Sequence, residues 1–298
     1  MAVWLKRLGR VLLVVLVLAA LGFGYAYWRS ESALRRVYEL TRVNLPIDGS
    51  AQQVEYGAYL ARTRGCMDCH QEDLGGGLVL DAGPVGRMYA SNLTRGGLGA
   101  DIDAAAFEHA VRHGVGRTGR ALLMMPSADY AHFSDADVAA LFAYMQSVPA
   151  VARAAEQSRM GPLGRVLFSA GKLPLVAAEL IDHAAASSAK AAPTFAATAE
   201  YGGYLAQMCR GCHGETYAGG HVPGTPPEFK DAANLTPHAS GLANWREADF
   251  IAAMRTGKRP DGSEIDPFMP WRQLGAMSDV ELQALWAYLS TLPPQPRG

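Results

Sequence analysis

The sequence predicts a mostly α-helical protein in which one domain, duplicated in tandem, follows an N-terminal apolar helix. Three observations carry that reading. The first is an internal repeat. Glu55-Tyr56-Gly57-Ala58-Tyr59-Leu60 answers Glu200-Tyr201-Gly202-Gly203-Tyr204-Leu205, Asn92-Leu93-Thr94 answers Asn234-Leu235-Thr236, and Met125-Pro126 answers Met269-Pro270. The separation stays between 142 residues (Asn92 to Asn234) and 145 (Glu55 to Glu200), so one unit occurs twice. The second is helical periodicity without strand alternation. Val138, Leu141, Phe142 and Met145 form an apolar stripe, as do Leu282, Leu285, Trp286 and Leu289. The third is the run from Val11 to Trp28, apolar apart from glycines and tyrosines, preceded by Lys6, Arg7 and Arg10.

Taken in order, residues 1–29 read as a transmembrane anchor, since about 20 apolar residues span a bilayer as a helix. The basic flank favours an N-inside orientation, and the aromatic cluster Phe23, Tyr25, Tyr27 and Trp28 suits a membrane interface. A cleaved signal peptide shares the charged-then-apolar pattern, but no clean small-x-small cleavage site follows the apolar core. Residues 30–50 are expected to continue the helix as a stalk, with Leu34, Val37 and Leu40 at helical spacing and Pro46 with Asp48-Gly49-Ser50 as its end.

The repeated unit then occupies 51–150 and 196–298. In each copy an opening helix is expected near Tyr56–Ala61 or Tyr201–Gln207, the glycines 75–77 and 219–220 as loops, and a closing helix after Ser134 or Ser278. Ser134 with Asp137, and Ser278 with Glu281, have the spacing of a capping box. Phe107, Arg112 and Gly114 match Phe250, Arg255 and Gly257. Between the copies, 151–195 forms a connector. Its stretch Leu163 to His183 is too hydrophobic for a free linker and too interrupted, by Gly171, Lys172, Pro174 and Glu179, for a second span. It is expected either to pack across the two units or to lie at the membrane surface. The Ala/Ser/Pro-rich tail from Ala184 to Thr198 reads as a true linker.

The net charge is −1, and both repeats are mildly acidic while the first 50 residues are basic. Nothing in this distribution resembles a nucleic-acid-binding surface.

The chemistry is concentrated in two five-residue runs, Cys66-Met67-Asp68-Cys69-His70 and Cys209-Arg210-Gly211-Cys212-His213. C-x-x-C-H reads as a site of covalent c-type haem attachment. Two thiols two residues apart reach both vinyl groups on one edge of a porphyrin, and the adjacent histidine sits under the iron. Without the histidine, the thiol pair would suit redox exchange or half a zinc site equally well. All four cysteines of the chain are used by these motifs. Two haem c groups are therefore expected, with Cys66, Cys69 and His70 holding one and Cys209, Cys212 and His213 the other.

A thioether opposite each histidine would stabilise ferrous iron and close the site to substrates. Met125 and Met269 are the candidates, each before a proline, each upstream of the capped closing helix, and aligned by the repeat where Met124 is not. Met67, Met208 and Met254 have no counterpart and are assigned to packing. The remaining histidines, His109, His113, His132, His183, His221 and His238, do not recur and read as surface or structural.

This layout resembles the class I cytochromes c, over roughly residues 50–150 and 196–295. The Asn-x-Thr segment and the Phe…Arg-x-Gly helix are similar to those of multihaem cytochrome c subunits of bacterial periplasmic dehydrogenase complexes. The resemblance implies two tandem class I cytochrome c domains, with Gly57 and Gly202 where the first and last helices cross, beside Tyr144 and Tyr288, and with Asn92, Thr94, Asn234 and Thr236 near haem propionates. It implies an electron carrier, not an enzyme, on the cytoplasmic membrane as a single-pass protein with its haem domains in the periplasm. The expected partners are redox proteins: a dehydrogenase, an oxidase or a soluble cytochrome. Those subunits usually carry three haems and a C-terminal anchor, from which two motifs and an N-terminal apolar run depart. A dihaem peroxidase and a haem-based redox or gas sensor are the alternatives; both need an open iron position, against which the paired methionines argue.

Overall fold

The computed structural model describes residues 2–154, 156–188 and 190–298; position 1 of the expected anchor and positions 155 and 189 of the connector lie outside the described residues. Helix α1 (Ala2–Arg35) carries the apolar run, with the side chains of Val11–Leu18 all exposed. Its last turns behave differently: Ala26, Ser30 and Ala33 are buried against the connector.

The helix stops at Arg35, so the expected helical stalk is corrected. Residues beyond it run extended along the first repeat, where Val37 bridges Arg120 and the Tyr38 N–H donates to the Gly119 carbonyl at 2.8 Å. Local helix propensity is a weak term, and backbone pairing to a neighbouring loop overrides it here.

Each repeat is built from the same pieces. In the first, α2 (Ala51–Thr63), the short α3 (Cys66–His70), α4 (Ala104–His113), α5 (Ser127–Tyr130) and α6 (Asp135–Ser147) follow in order. In the second, α9 (Ala199–Ala206), α10 (Arg210–His213), α11 (Glu247–Thr256), α12 (Trp271–Leu274) and α13 (Asp279–Leu289) occupy the equivalent places. Opening and closing helices cross closely. A Cβ on Gly57 would collide with the Ala140 carbonyl and stand 2.8 Å from Tyr144 Cβ; one on Gly202 would collide with Ala284 and stand 2.9 Å from Tyr288 Cβ. Only glycine admits this approach. The stripes read from the sequence are the core: Leu60, Phe107, Val111, Val138, Leu141 and Met145 cluster in one repeat, and Leu205, Phe250, Leu282, Leu285 and Leu289 in the other. Gly114 and Gly257 end α4 and α11 in the left-handed conformation, and Arg112 and Arg255 each pair at 2.6 Å with the aspartate that opens the closing helix.

The first repeat adds strands that the sequence did not signal. β1 (Gly77–Asp81) and β2 (Gly86–Ala90) form an antiparallel hairpin with an irregularity between Leu78 and Leu80, and β3 (Arg159–Met160) from the connector pairs with β2. Gly77, expected in a loop, opens β1.

The connector is a third packing layer. Helix α7 (Pro162–Ser169) lies against the end of α1, and Phe168, Met160, Val176 and Ala178 form a separate core with Ala33 and Val115. The tail expected to be a free linker is tied down. Helix α8 (His183–Ala186) is capped by Asp182, and the Asp135 N–H donates to the Lys190 carbonyl at 2.9 Å.

Candidate haem-binding sites

The two C-x-x-C-H runs form short helices, each entered from the opening helix of its repeat. None of the four cysteines is in a disulfide. Burial first, then the neighbouring thiol, pushes Cys66 and Cys209 up to about 12. A thiol used for disulfide exchange needs the opposite shift. Among the described residues, no group of three or more His, Cys, Asp or Glu side chains converges as a metal cage. Thiols raised in this way are poorly suited to disulfide exchange.

The histidines are oriented identically. His70 Nδ1–H donates to the Ser91 carbonyl at 2.8 Å, and His213 Nδ1–H to the Ala233 carbonyl at 2.7 Å. With Nδ1 committed, the bare Nε2 is the atom that remains to bind a metal, and a carbonyl partner of this kind fixes the ring of a ligating histidine. Burial lowers both imidazole pKa values and holds the rings neutral, as ligation requires. The backbone beyond each motif is equally repeated. The Gly76 and Gly219 N–H groups donate to the His70 and His213 carbonyls, both at 2.9 Å. Leu74 and Tyr217, at equivalent buried positions, take positive φ angles of 55° and 60°. A non-glycine residue held there is strained, and such strain clusters at functional sites.

The Asn-x-Thr segments explain the carbonyls. Ser91 and Ala233 immediately precede Asn92 and Asn234. Asn92 donates to the Val151 carbonyl at 2.8 Å and accepts from Thr94 Oγ1–H at 2.7 Å; Asn234 donates to the Gln295 carbonyl at 2.7 Å and accepts from Thr236 Oγ1–H at 2.8 Å. All four side chains are buried. They pin the chain after the closing helix to the strand of backbone that orients the histidine. Sequence reasoning missed this; the repeated Asn-x-Thr was the signal.

Met125 and Cys66 pack against one core, and Met269 and Cys209 against the other. Each methionine is fixed by its loop: Ser127 N–H donates to Met125 O at 2.9 Å and Trp271 N–H to Met269 O at 2.7 Å. Met124, the rejected neighbour, takes a positive φ of 73° and its N–H donates to the connector at Leu175. Met67, Met208 and Met254 pack against the cores, as expected.

The repeats also hold each other. Tyr59 of the first donates to Glu281 of the second, and the Ser278 N–H donates back to Tyr59 Oη at 2.8 Å. Reciprocally, Tyr204 of the second donates to Asp137 of the first, and the Ser134 N–H donates to Tyr204 Oη at 2.9 Å. Each opening helix thus caps the other repeat's closing helix. The box at Ser278 and Glu281 is complete, whereas at Ser134 only Asp137 N–H bonds back, because the Asp137 carboxylate serves Tyr56 and Tyr204. Arg64 pairs with Glu281 at 2.6 Å, both almost fully buried. Gln273 Nε2 donates to Asp68 of the first motif at 2.6 Å, and Asp129 stands over Gly211 of the second. Both C-x-x-C-H helices therefore abut a single interface with approximate two-fold character.

A mostly helical chain with this repeated thiol–imidazole arrangement defines a protein built to hold haem c. The comparisons agree. Residues 199–293 match the family model "Cytochrome c", and residues 52–145 match "Cytochrome C oxidase, cbb3-type, subunit III". The chain is 29% identical to a nicotinate dehydrogenase component of Pseudomonas putida over 93% of its own length and 24% of that protein. It is 28% identical to the cytochrome c subunit of the quinone-dependent alcohol dehydrogenase of Gluconacetobacter polyoxogenes, over 84% of this chain and 58% of the relative. Over 35% of its length it is 41% identical to the gluconate 2-dehydrogenase cytochrome c subunit of Pantoea cypripedii, covering 25% of that protein. It thus spans between a quarter and three-fifths of these relatives. The chain carries cytochrome c domains and is homologous to cytochrome c subunits of dehydrogenase complexes, with an N-terminal helix that fits a membrane anchor.

Proposed function

We propose that this protein is a membrane-anchored dihaem electron carrier, with class I cytochrome c domains at 51–150 and 196–298 joined by 151–195. Cys66 and Cys69, and Cys209 and Cys212, would hold the two haems; His70 with Met125, and His213 with Met269, would supply the iron ligands. The haem supplies a reversible one-electron change at iron. The polypeptide does the rest. The thiols would attach the cofactor covalently, the carbonyls of Ser91 and Ala233 hold each imidazole in one tautomer, and Met125 and Met269 would offer the second donor to each iron. The duplicated histidine–carbonyl pair, oriented by a buried Asn-x-Thr, is the observation that carries this reading.

The N-terminal helix would anchor the protein to the cytoplasmic membrane with the haem domains in the periplasm. Electrons would pass from a periplasmic dehydrogenase or the quinol pool to a respiratory acceptor. The relatives' names support a dehydrogenase as the partner. Haem stoichiometry from the alkaline pyridine spectrum tests the cofactor count, with two per chain expected and one refuting it. Gentle solubilisation of the native membrane tests the partner: a dehydrogenase in stable ratio would make this its electron-accepting subunit, and recovery alone would make it a free shuttle.

A further inference from the structure

The connector has no counterpart in either repeat, and its place is set by the end of α1. Arg165 of α7 donates to Ser30 Oγ and Glu31 Oε1, both at 2.7 Å, and its guanidinium lies 4.4 Å from the Tyr27 ring centre. Arg29 forms a bidentate pair with Glu179 at 3.0 and 2.9 Å, and Ser169 Oγ–H donates to the Ala26 carbonyl. These contacts fix the height of the connector on the helix. Arg10 and Arg29 bracket 18 residues. At 1.5 Å each they measure about 27 Å, close to the roughly 30 Å hydrocarbon core. Arg29 therefore marks the outer edge of that core. Ala26, where Ser169 docks, lies about 4.5 Å inside it.

At this level the connector exposes apolar side chains that the cores do not use: Leu163 and Val166 on the outer face of α7, and Leu180, 63% exposed, next to the Glu179 that grips Arg29. Lys172 is exposed on the turn after α7, which Gly171 closes at a φ of 69°. An apolar face with a cation at its edge is the pattern of a segment seated in the headgroup–acyl boundary.

We propose that the connector is a membrane-docking element: residues 162–182 lie in the outer interface of the same bilayer that α1 spans, with Val166, Leu180 and the turn at Ala170–Lys172 in contact with lipid. The inference rests on reading α1 as a membrane anchor. Its occupant is lipid because the surface continues, at fixed register, the lipid-facing side of that helix. The consequence is mechanical. The separate core of Ala33, Val115, Phe168 and Val176 joins anchor, connector and first repeat, so the haem domains ride at a set height and do not swing on a stalk.

The test uses the full haem-loaded chain in phosphatidylcholine vesicles containing a phospholipid with an acyl-chain diazirine, irradiated and mapped by peptide mass spectrometry. Adducts are expected on residues 11–28 and also on the tryptic peptides 166–172 and 173–190. A V166E/L180E variant should lose the connector adducts and keep those on 11–28; the milder Leu180→Gln should lose those on 173–190 if the double variant does not fold. Adducts confined to 11–28 would overturn the docking proposal while leaving the anchor standing. Absence from both segments would overturn the anchor reading and the proposal together. Connector crosslinks to a co-purifying protein or a second copy, in place of lipid, would also overturn it.

Discussion

Replacing Glu281 with glutamine tests whether the two repeats form one cooperative unit. Glu281 is 1% and Arg64 4% exposed, and they sit 2.6 Å apart. Removing one partner of a buried pair strands the other charge and costs about 3–5 kcal/mol. Glutamine keeps one carbonyl acceptor for Tyr59 or Ser278, so the lower end, about 3 kcal/mol, is expected. A kilocalorie moves Tm by about 2–4 °C in domains of 150–250 residues, so the midpoint should fall by about 6–12 °C. Tyr59→Phe removes the hydroxyl bridging Glu281 and Ser278 N–H and should cost about 1–3 kcal/mol. The two changes should couple, since they share a partner. There is also a pH signature. Burial raises the Glu281 pKa, but the Arg64 charge and the hydrogen bonds outweigh it and leave it below its ordinary 4.5. A depressed folded pKa contributes stability above the unfolded value that is lost as pH falls through the folded one, so acid should narrow the gap between wild type and E281Q. Thermal unfolding of the detergent-solubilised chain, with hydrogen exchange mapped along it, reads all of this. A midpoint shift below about 1 °C, or lost protection confined to the second repeat while 52–145 is untouched, would refute the cooperative interface.

Other outcomes follow from the same geometry. Burial, reinforced by Arg64 and Lys190, pushes His132 down to about 3, so stability should decline as pH drops from 6.5 toward 3 as the unfolded state takes up the proton; His132→Phe should flatten that part of the pH–stability curve. Met125→Ala and Met269→Ala should each open one reduced haem to carbon monoxide, and an unchanged spectrum would sink the ligand assignment. Asn234→Ala should free the segment carrying the Ala233 carbonyl, destabilise by about 1–3 kcal/mol, and broaden the second haem's ligand-field spectrum with little effect on the first. Gly202→Ala should force α9 and α13 apart and cost more than a surface change, about 2 kcal/mol or above, read from urea midpoints.

Much of this protein was legible because duplication makes weak signals testable. A lone Met-Pro or Asn-x-Thr says little, but at a constant separation each becomes a shared structural demand. The helices and the repeated thiol–imidazole pair were readable on that ground, and the crossing glycines were what the family resemblance implied. Apart from the N-terminal apolar helix, the non-repeated features were not. The stalk failed because Val37 and Tyr38 pair with the loop at Gly119 and Arg120, a long-range contact that no local pattern encodes. The hairpin of β1 and β2 was hidden because Leu78-Val79-Leu80 is a short apolar run without alternation, and its third strand comes from residues 159–160 in the connector.

The capping boxes show a subtler limit. Ser-x-x-Asp and Ser-x-x-Glu predict local caps, and both closing helices do begin there. The same carboxylates, however, are the anchor points for a tyrosine from the other repeat, and at Asp137 the long-range partners displace half of the local box. The sequence contained the pieces, since Tyr59 and Tyr204 recur with the motif around them. What it lacked was the knowledge that each tyrosine acts on the copy it does not belong to. A duplicated domain that docks on itself with approximate two-fold symmetry needs only one successful contact, because symmetry supplies the second. Tyr59 and Tyr204 keep that symmetry, while the buried Arg64 breaks it: it pairs with Glu281, and among the described residues no arginine pairs with Asp137. The two C-x-x-C-H sites therefore share a scaffold whose central interface is electrostatically uneven: Glu281 is met by a guanidinium, and Asp137 by the hydroxyls of Tyr56 and Tyr204.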